Sequence, residues 1–237
     1  MDPNSDRFLS AFNAIERHLR EMLGEAEHRT FSDLVHRAGD SHALVRRLSA
    51  DLRHLADLRN FLVHRYQERE PLALPSDLSI QKVERIRDAL LQPATLHSMF
   101  HKTVYFCRPP DPIGAIAQLM HKYDIRQLPI YEWSEFRGLL TSQPLTRWLA
   151  ARLATGVGLV EEEPVAKVME FQTDDHQHEF ANHRATVTDA FNMMEKHYHK
   201  GRPLRAIILT PLGRSSQLPT GIVTAGDFPA LLEAVGL

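Results

Sequence analysis

The sequence predicts an α+β multidomain chain, in which an N-terminal all-α four-helix bundle over 1–92 is followed by a pair of α/β modules over 93–158 and 159–237. Three observations carry this reading. Apolar residues recur at helical spacing up to Leu90, short β-type runs alternate with helical patterns beyond Pro93, and the second region contains its own order of elements twice.

In the first region Phe8, Phe12, Ile15, Leu19 and Met22 fall four and three apart, which makes one buried stripe of a helix from Asp6 to about Leu23. Thr30-Phe31-Ser32-Asp33 reads as a capping box that opens a short helix closing at Gly39. A long third helix is expected from about Ser41, where Leu48, Leu52, Leu55, Leu62 and Tyr66 keep the rhythm until Glu70-Pro71 stops it. Ile80, Val83, Ile86 and Leu90 give a fourth helix, ended by Pro93.

Beyond Pro93 the runs Thr103-Val104-Tyr105-Phe106 and Gln127-Leu128-Pro129-Ile130-Tyr131 have strand character, and Ile113 to His121 is helical. The order strand, helix, strand, strand, helix then recurs. Phe136 to Thr141 precedes a helix near Leu145 in the first copy, and Pro219 to Thr224 precedes one near Phe228 in the second. The stretch from Gln172 to Arg184 reads as an inserted polar loop. Its His176, His178, Glu179 and His183 show no rigid ligand spacing, so no metal is expected.

Composition narrows the function classes. With 43% hydrophobic and 24% charged residues the chain is too apolar to be disordered. A net charge of -2 provides no global basic field, so any nucleic-acid contact must be local. Arg46, Arg47, Arg53, Arg59, Arg65 and Arg69 along the third helix are a candidate for such a local field, or simply a solvated face. Cys107 is the sole cysteine, which excludes an intrachain disulfide and a multi-thiolate zinc site and fits a reducing compartment. The N-terminus lacks a leader pattern and no stretch is apolar enough for a membrane span, so a cytoplasmic protein without membrane contact is expected.

Gly221-Ile222-Val223-Thr224-Ala225-Gly226-Asp227 runs a strand into a helix start, with a hydroxyl and a carboxylate three residues apart. A helix start and the Thr224 hydroxyl can donate to a phosphate, and Asp227 can accept from ribose hydroxyls; alternatively the pair merely caps the last helix. With the repeat around it, the stretch from about Gln92 to Leu237 resembles a pair of CBS domains, a family that binds adenine nucleotides between its two modules. The features matched are a Met-initiated first strand near Met99 and Met169, the helix Ala115 to Met120, the strand Leu128-Pro129-Ile130 and the Gly-x-x-Thr-x-x-Asp turn. The resemblance implies AMP, ADP, ATP or a related adenine nucleotide as regulatory ligand. It implies Thr224 and Asp227 as the ribose-phosphate pair and Arg205 as the basic phosphate contact. The opposite wall would come from near Val104 and Gln127. The first copy keeps the hydroxyl at Thr141 but has Pro144 where the carboxylate should be, so its cleft is expected to be weak or empty.

On the third helix Arg59 falls inside the apolar stripe among Leu52, Leu55, Leu62, Val63 and Tyr66. A guanidinium there needs a partner such as Asp57 or Glu16, a route past the stripe, or a ligand. Asn60 and His64 are four apart and share a face beside it. An imidazole that moves a proton, an amide that orients and a guanidinium that grips phosphate suffice for metal-independent RNA cleavage through the 2′-hydroxyl. Arg59, Asn60, His64 and Tyr66 resemble the signature of HEPN domains, carried there on the third helix of a four-helix bundle. That resemblance implies a homodimer with one composite ribonuclease site and, in a toxin subgroup, a tyrosine open to adenylylation by a partner enzyme. Tyr66 equally suits simple packing.

Together these readings predict an endoribonuclease of toxin or defence type acting on RNA, controlled by adenine nucleotide, with an antitoxin as a possible partner. The alternative is a non-catalytic nucleotide sensor whose helical domain serves dimerisation or partner docking.

Overall fold

The structure is a computed structural model and describes residues 2–24, 29–64, 74–156, 161–172 and 177–236. In chain order the elements are α1 (Pro3–Leu23), α2 (Phe31–Ser41), α3 (Ala43–His64), α4 (Asp77–Leu91), α5 (Leu96–Phe100), α6 (Ile113–Lys122), β1 (Gln127–Glu132), β2 (Glu135–Thr141), α7 (Ser142–Ala154), α8 (Val165–Met169), β3 (His178–Ala181), α9 (Val187–His199), β4 (Ala206–Leu209), β5 (Gly221–Thr224), a 3-10 turn at Ala225–Asp227 and α10 (Phe228–Ala234). Among the described residues no helix is long and apolar enough to cross a membrane.

The chain forms two compact units. One comprises Met1–Ala94, Thr186–Glu195 and Phe228–Leu237; the other comprises Thr95–Ala185 and Lys196–Asp227. Two late segments thus join the helical unit, where the sequence suggested three consecutive domains.

In the helical unit α1 packs on α4 and α2 on α3. Asp2 caps α1 by accepting from the Asn4 and Ser5 amides at 3.0 and 3.2 Å, Pro3 opens the helix, and Gly24 closes it in the left-handed region at φ 61°. Phe8, Phe12, Ile15 and Leu19 are all buried, as the four-three spacing requires. The Thr30 hydroxyl accepts from the Asp33 amide at 3.2 Å and donates to the Asp33 carboxylate at 2.7 Å, forming the capping box. Gly39, expected to end α2, lies buried inside it beside Arg46, and His42 terminates the helix.

The arginines of α3 do not form a single free face. Arg46 pairs with Glu195 at 2.6 Å, and the Arg47 guanidinium lies 5.2 Å from the Phe191 ring and 5.4 Å from the Phe228 ring. Arg65 and Arg69 lie outside the described residues. Val63, expected in the buried stripe, is 41% exposed, while Leu52, Leu55 and Leu62 are buried.

In the other unit the repeat becomes explicit. β1 and β2 pair antiparallel, with Cys107 bridged in parallel to Ile130 of β1; β3 pairs parallel with β4, which pairs antiparallel with β5. The helices before β1 and β4 also end alike. α6 closes with amide-to-carbonyl bonds Asp124 to His121 (3.4 Å) and Ile125 to Met120 (2.8 Å), and α9 with Gly201 to Tyr198 (2.9 Å) and Arg202 to His197 (3.1 Å). The left-handed residue is Gly201 in one copy and Asp124, at φ 48°, in the other.

Three expectations are corrected here. Thr103-Val104-Tyr105-Phe106 forms no strand; only Cys107 pairs, with its amide donating to Pro129 at 2.9 Å. Met99 and Met169 lie on the short helices α5 and α8 and begin no strand. The supposed inserted loop contains β3, and its Glu179 accepts from His197 Nε2 at 2.9 Å. Burial raises the Glu179 pKa, but the His197 bond and the nearby Lys196 outweigh it and leave the carboxyl below its ordinary value.

Candidate functional site

β5 is entirely buried up to Thr224 and delivers that residue to the mouth of a cavity of about 590 Å³. Gly221 at its start is required by close approach, since a Cβ there would sit 2.6 Å from the Phe100 carbonyl oxygen. The 3-10 turn then brings Asp227 back onto Thr224: Asp227 Oδ2 accepts from the Thr224 amide at 2.7 Å and from its hydroxyl at 2.9 Å. The other carboxylate oxygen, Oδ1, lies 4.0 Å from Lys102 Nζ.

The facing wall comes from the first copy, where Val104, Tyr105, Asp124, Arg126 and Gln127 line the same cavity. The rings of Tyr105 and Tyr123 stack there at 4.9 Å and 20°. A hydrogen bond to Tyr123 is the main reason the Tyr105 phenol titrates above its ordinary value, so both rings are neutral at physiological pH. Arg126 lies 3.6 Å from Asp124, which makes this cleft mixed in charge. It therefore offers an acceptor at a strand end, two cations and a flat aromatic surface.

The grouping of Arg205 is corrected. Arg205 does not join Thr224 and Asp227; it lines a second cavity of about 450 Å³ with Thr141, Gln143, Pro144 and Arg147. The basic residue that stands beside Thr224 is Arg126, which precedes β1 as Arg205 precedes β4. Each cleft thus takes its threonine from one copy and its arginine from the other. The repeat held the signal for Arg126, but only if the crossing between copies was allowed for.

In the helical unit Arg59 Nη1 donates to Asn60 Oδ1 at 3.2 Å, and both residues line a cavity of about 520 Å³ with Arg29, Thr30, Arg53 and Asp57. Arg59 Nε is buried without a hydrogen-bond partner among the described residues. The acid partners considered from sequence do not engage it, since Glu16 pairs with Arg20 at 2.6 Å. His64 is the last residue of α3, and Tyr66 lies outside the described residues. Among the described residues no group of three or more His, Cys, Asp or Glu is placed to hold a metal ion. The Cys107 thiol, buried and near Asp111, is pushed up to about 12, so it is no nucleophile.

No protein-family model matches the chain, and no curated protein matches it. Among solved structures, an acetoin utilization protein (AcuB) from Vibrio cholerae superposes with TM-score 0.45 at 17% identity, covering 60% of this chain and 91% of that one. The CBS-domain protein ATU1752 from Agrobacterium tumefaciens gives TM-score 0.42 at 19% identity over 61% of this chain and 96% of that one. The CBS domain pair of MJ0100, solved with methylthioadenosine and S-adenosyl-L-methionine, gives 0.42 at 19% over 60% and 97%.

Proposed function

We propose that the chain is a nucleotide-responsive effector: adenine nucleotide occupies the Thr224 cleft, and the helical unit is a metal-independent endoribonuclease under its control. The observation that carries the nucleotide half is the meeting of Asp227 at the end of β5 with Lys102, Arg126 and the stacked tyrosines around one cavity. In this reading Asp227 Oδ1 accepts from the ribose hydroxyls, Arg126 and Lys102 hold phosphate, and the base stacks on the Tyr105–Tyr123 pair.

The nuclease half is supported by Arg59, a partly buried guanidinium with an unpartnered Nε, tethered to Asn60 beside a cavity that two further arginines line. A phosphodiester would supply the missing acceptor. His64 would move the proton as the 2′-hydroxyl attacks the adjacent phosphorus and the 5′-oxygen leaves. In a homodimer two such sets would face one another, and nucleotide would bias how they meet. Asp227 is followed directly by Phe228, whose ring lies against Arg47 of α3, so the cleft and the helical unit share a continuous segment of chain.

The test is incubation of purified protein with RNA and with a DNA of the same sequence, with and without AMP, ADP or ATP. Arg59→Ala and His64→Ala are run in parallel. RNA alone should be cut, and both variants should lose cleavage at unchanged melting temperature. RNA left intact under every nucleotide removes the enzyme and leaves a non-catalytic sensor. That second reading is favoured by the exposure of Phe61 and Val63, 40% and 41%, on α3, an apolar surface suited to a partner.

A further inference from the structure

We propose that the Thr141 cleft is a separate site for an oligophosphate anion, whether free pyrophosphate or tripolyphosphate or the phosphate tail of a nucleotide, and that it needs no ribose. Three arginines from three elements line its cavity of about 450 Å³: Arg137 of β2, Arg147 of α7 and Arg205 before β4. No Asp or Glu is among the described residues that line it.

The arginines differ in how far their charge is spent. Arg137 pairs with Glu132 at 2.6 Å and contributes least. Arg205 donates through Nε to Gln177 Oε1 and through Nη2 to Gln143 Oε1 at 3.4 Å. Both acceptors are neutral amides, so the guanidinium is oriented without being neutralised. Arg147 takes part in no ion pair among the described residues.

Thr141 adds to this. Its counterpart Thr224 spends its hydroxyl on Asp227, whereas Pro144 replaces that carboxylate and Thr141 makes no side-chain cap bond to α7. The hydroxyl and the first-turn amides of a thirteen-residue helix are left facing the arginines. Like charges gathered around one cavity favour an anion carrying several charges over one carrying a single charge. A ribose gains nothing here, because its hydroxyl donors meet no carboxylate. The Pro144 cleft is thereby specialised in a different direction from the Thr224 cleft, where the sequence alone suggested an empty one.

The experiment is titration calorimetry on the full chain with orthophosphate, pyrophosphate, tripolyphosphate, adenosine, AMP and ATP. Affinity should rise from orthophosphate to tripolyphosphate. Arg147→Gln with Arg205→Gln should weaken tripolyphosphate at least tenfold and leave AMP unchanged, and Asp227→Ala should do the reverse. Tripolyphosphate should displace ATP from one of two sites while adenosine should not, which separates a free anion from a nucleotide tail. If the double variant melts lower than the parent, Arg147→Gln alone, at an exposed position, should still weaken tripolyphosphate at least threefold. The proposal falls if tripolyphosphate gives no binding heat, if its affinity ignores both arginines, or if Asp227→Ala abolishes it. Failure of AMP to bind while tripolyphosphate binds removes the nucleotide reading and leaves this one standing.

Discussion

Thr224 and Thr141 close the second strand of two copies of one repeat, yet three residues later the chain offers Asp227 in one case and Pro144 in the other. Around Asp227 the cleft mixes acids with cations and carries stacked tyrosines; around Pro144 it is lined by arginines and, among the described residues, by no acid. One scaffold therefore presents a ribose acceptor on one side and an anion trap on the other. The comparison shows how a duplicated fold can diverge in ligand chemistry through side chains alone, with backbone, strand ends and helix terminations kept in common.

The largest effect that would break this contrast is loss of the carboxylate. Asp227→Ala should weaken AMP about 100-fold, the worth of about two charge-assisted hydrogen bonds, and calorimetry reads this directly. Unchanged AMP affinity would place the nucleotide elsewhere. Next, Pro144→Asp should give the arginine-lined cleft a ribose acceptor, adding a second AMP per chain while weakening tripolyphosphate; a variant that still binds one AMP argues that more than this position separates the clefts.

Stability gives the third handle. Gly221→Ala forces a methyl onto the Phe100 carbonyl and should cost about 1–3 kcal/mol in chemical denaturation, with AMP affinity falling alongside because β5 places Thr224. A neutral effect would show that β5 shifts freely. Tyr105→Ala should weaken AMP about tenfold through lost stacking, with tripolyphosphate unaffected. The smallest effect is ionic: raising salt should weaken tripolyphosphate more than AMP, since exposed arginines are screened while a hydrogen-bonded carboxylate is less so. Parallel salt slopes for the two ligands would count against distinct sites.

Much of this was legible in the sequence, and the exceptions have physical causes. The stripe of α1 and the Thr30–Asp33 box are local patterns that need no tertiary information, and both are realised as written. Thr103 to Phe106 has strand composition, but β-propensity expresses itself only where a partner strand accepts the ladder, and only Cys107 finds one. β3 was hidden by the polar look of His178-Glu179, although Glu179 is held by His197. Arg205 was assigned to the wrong cleft because sequence order shows which copy a residue belongs to and not which copy it faces. The helical site was legible only as a constellation: Arg59 and Asn60 are together, and the acid partners that would make Arg59 merely structural are engaged elsewhere or do not bond it.

The most direct measurement of the central claim is the stoichiometry of AMP binding to the full chain by calorimetry, repeated on Asp227→Ala. One AMP per chain, lost in the variant, is the expected result. Two AMP per chain, or one that persists without the Asp227 carboxylate, would contradict the assignment of the nucleotide to the Thr224 cleft.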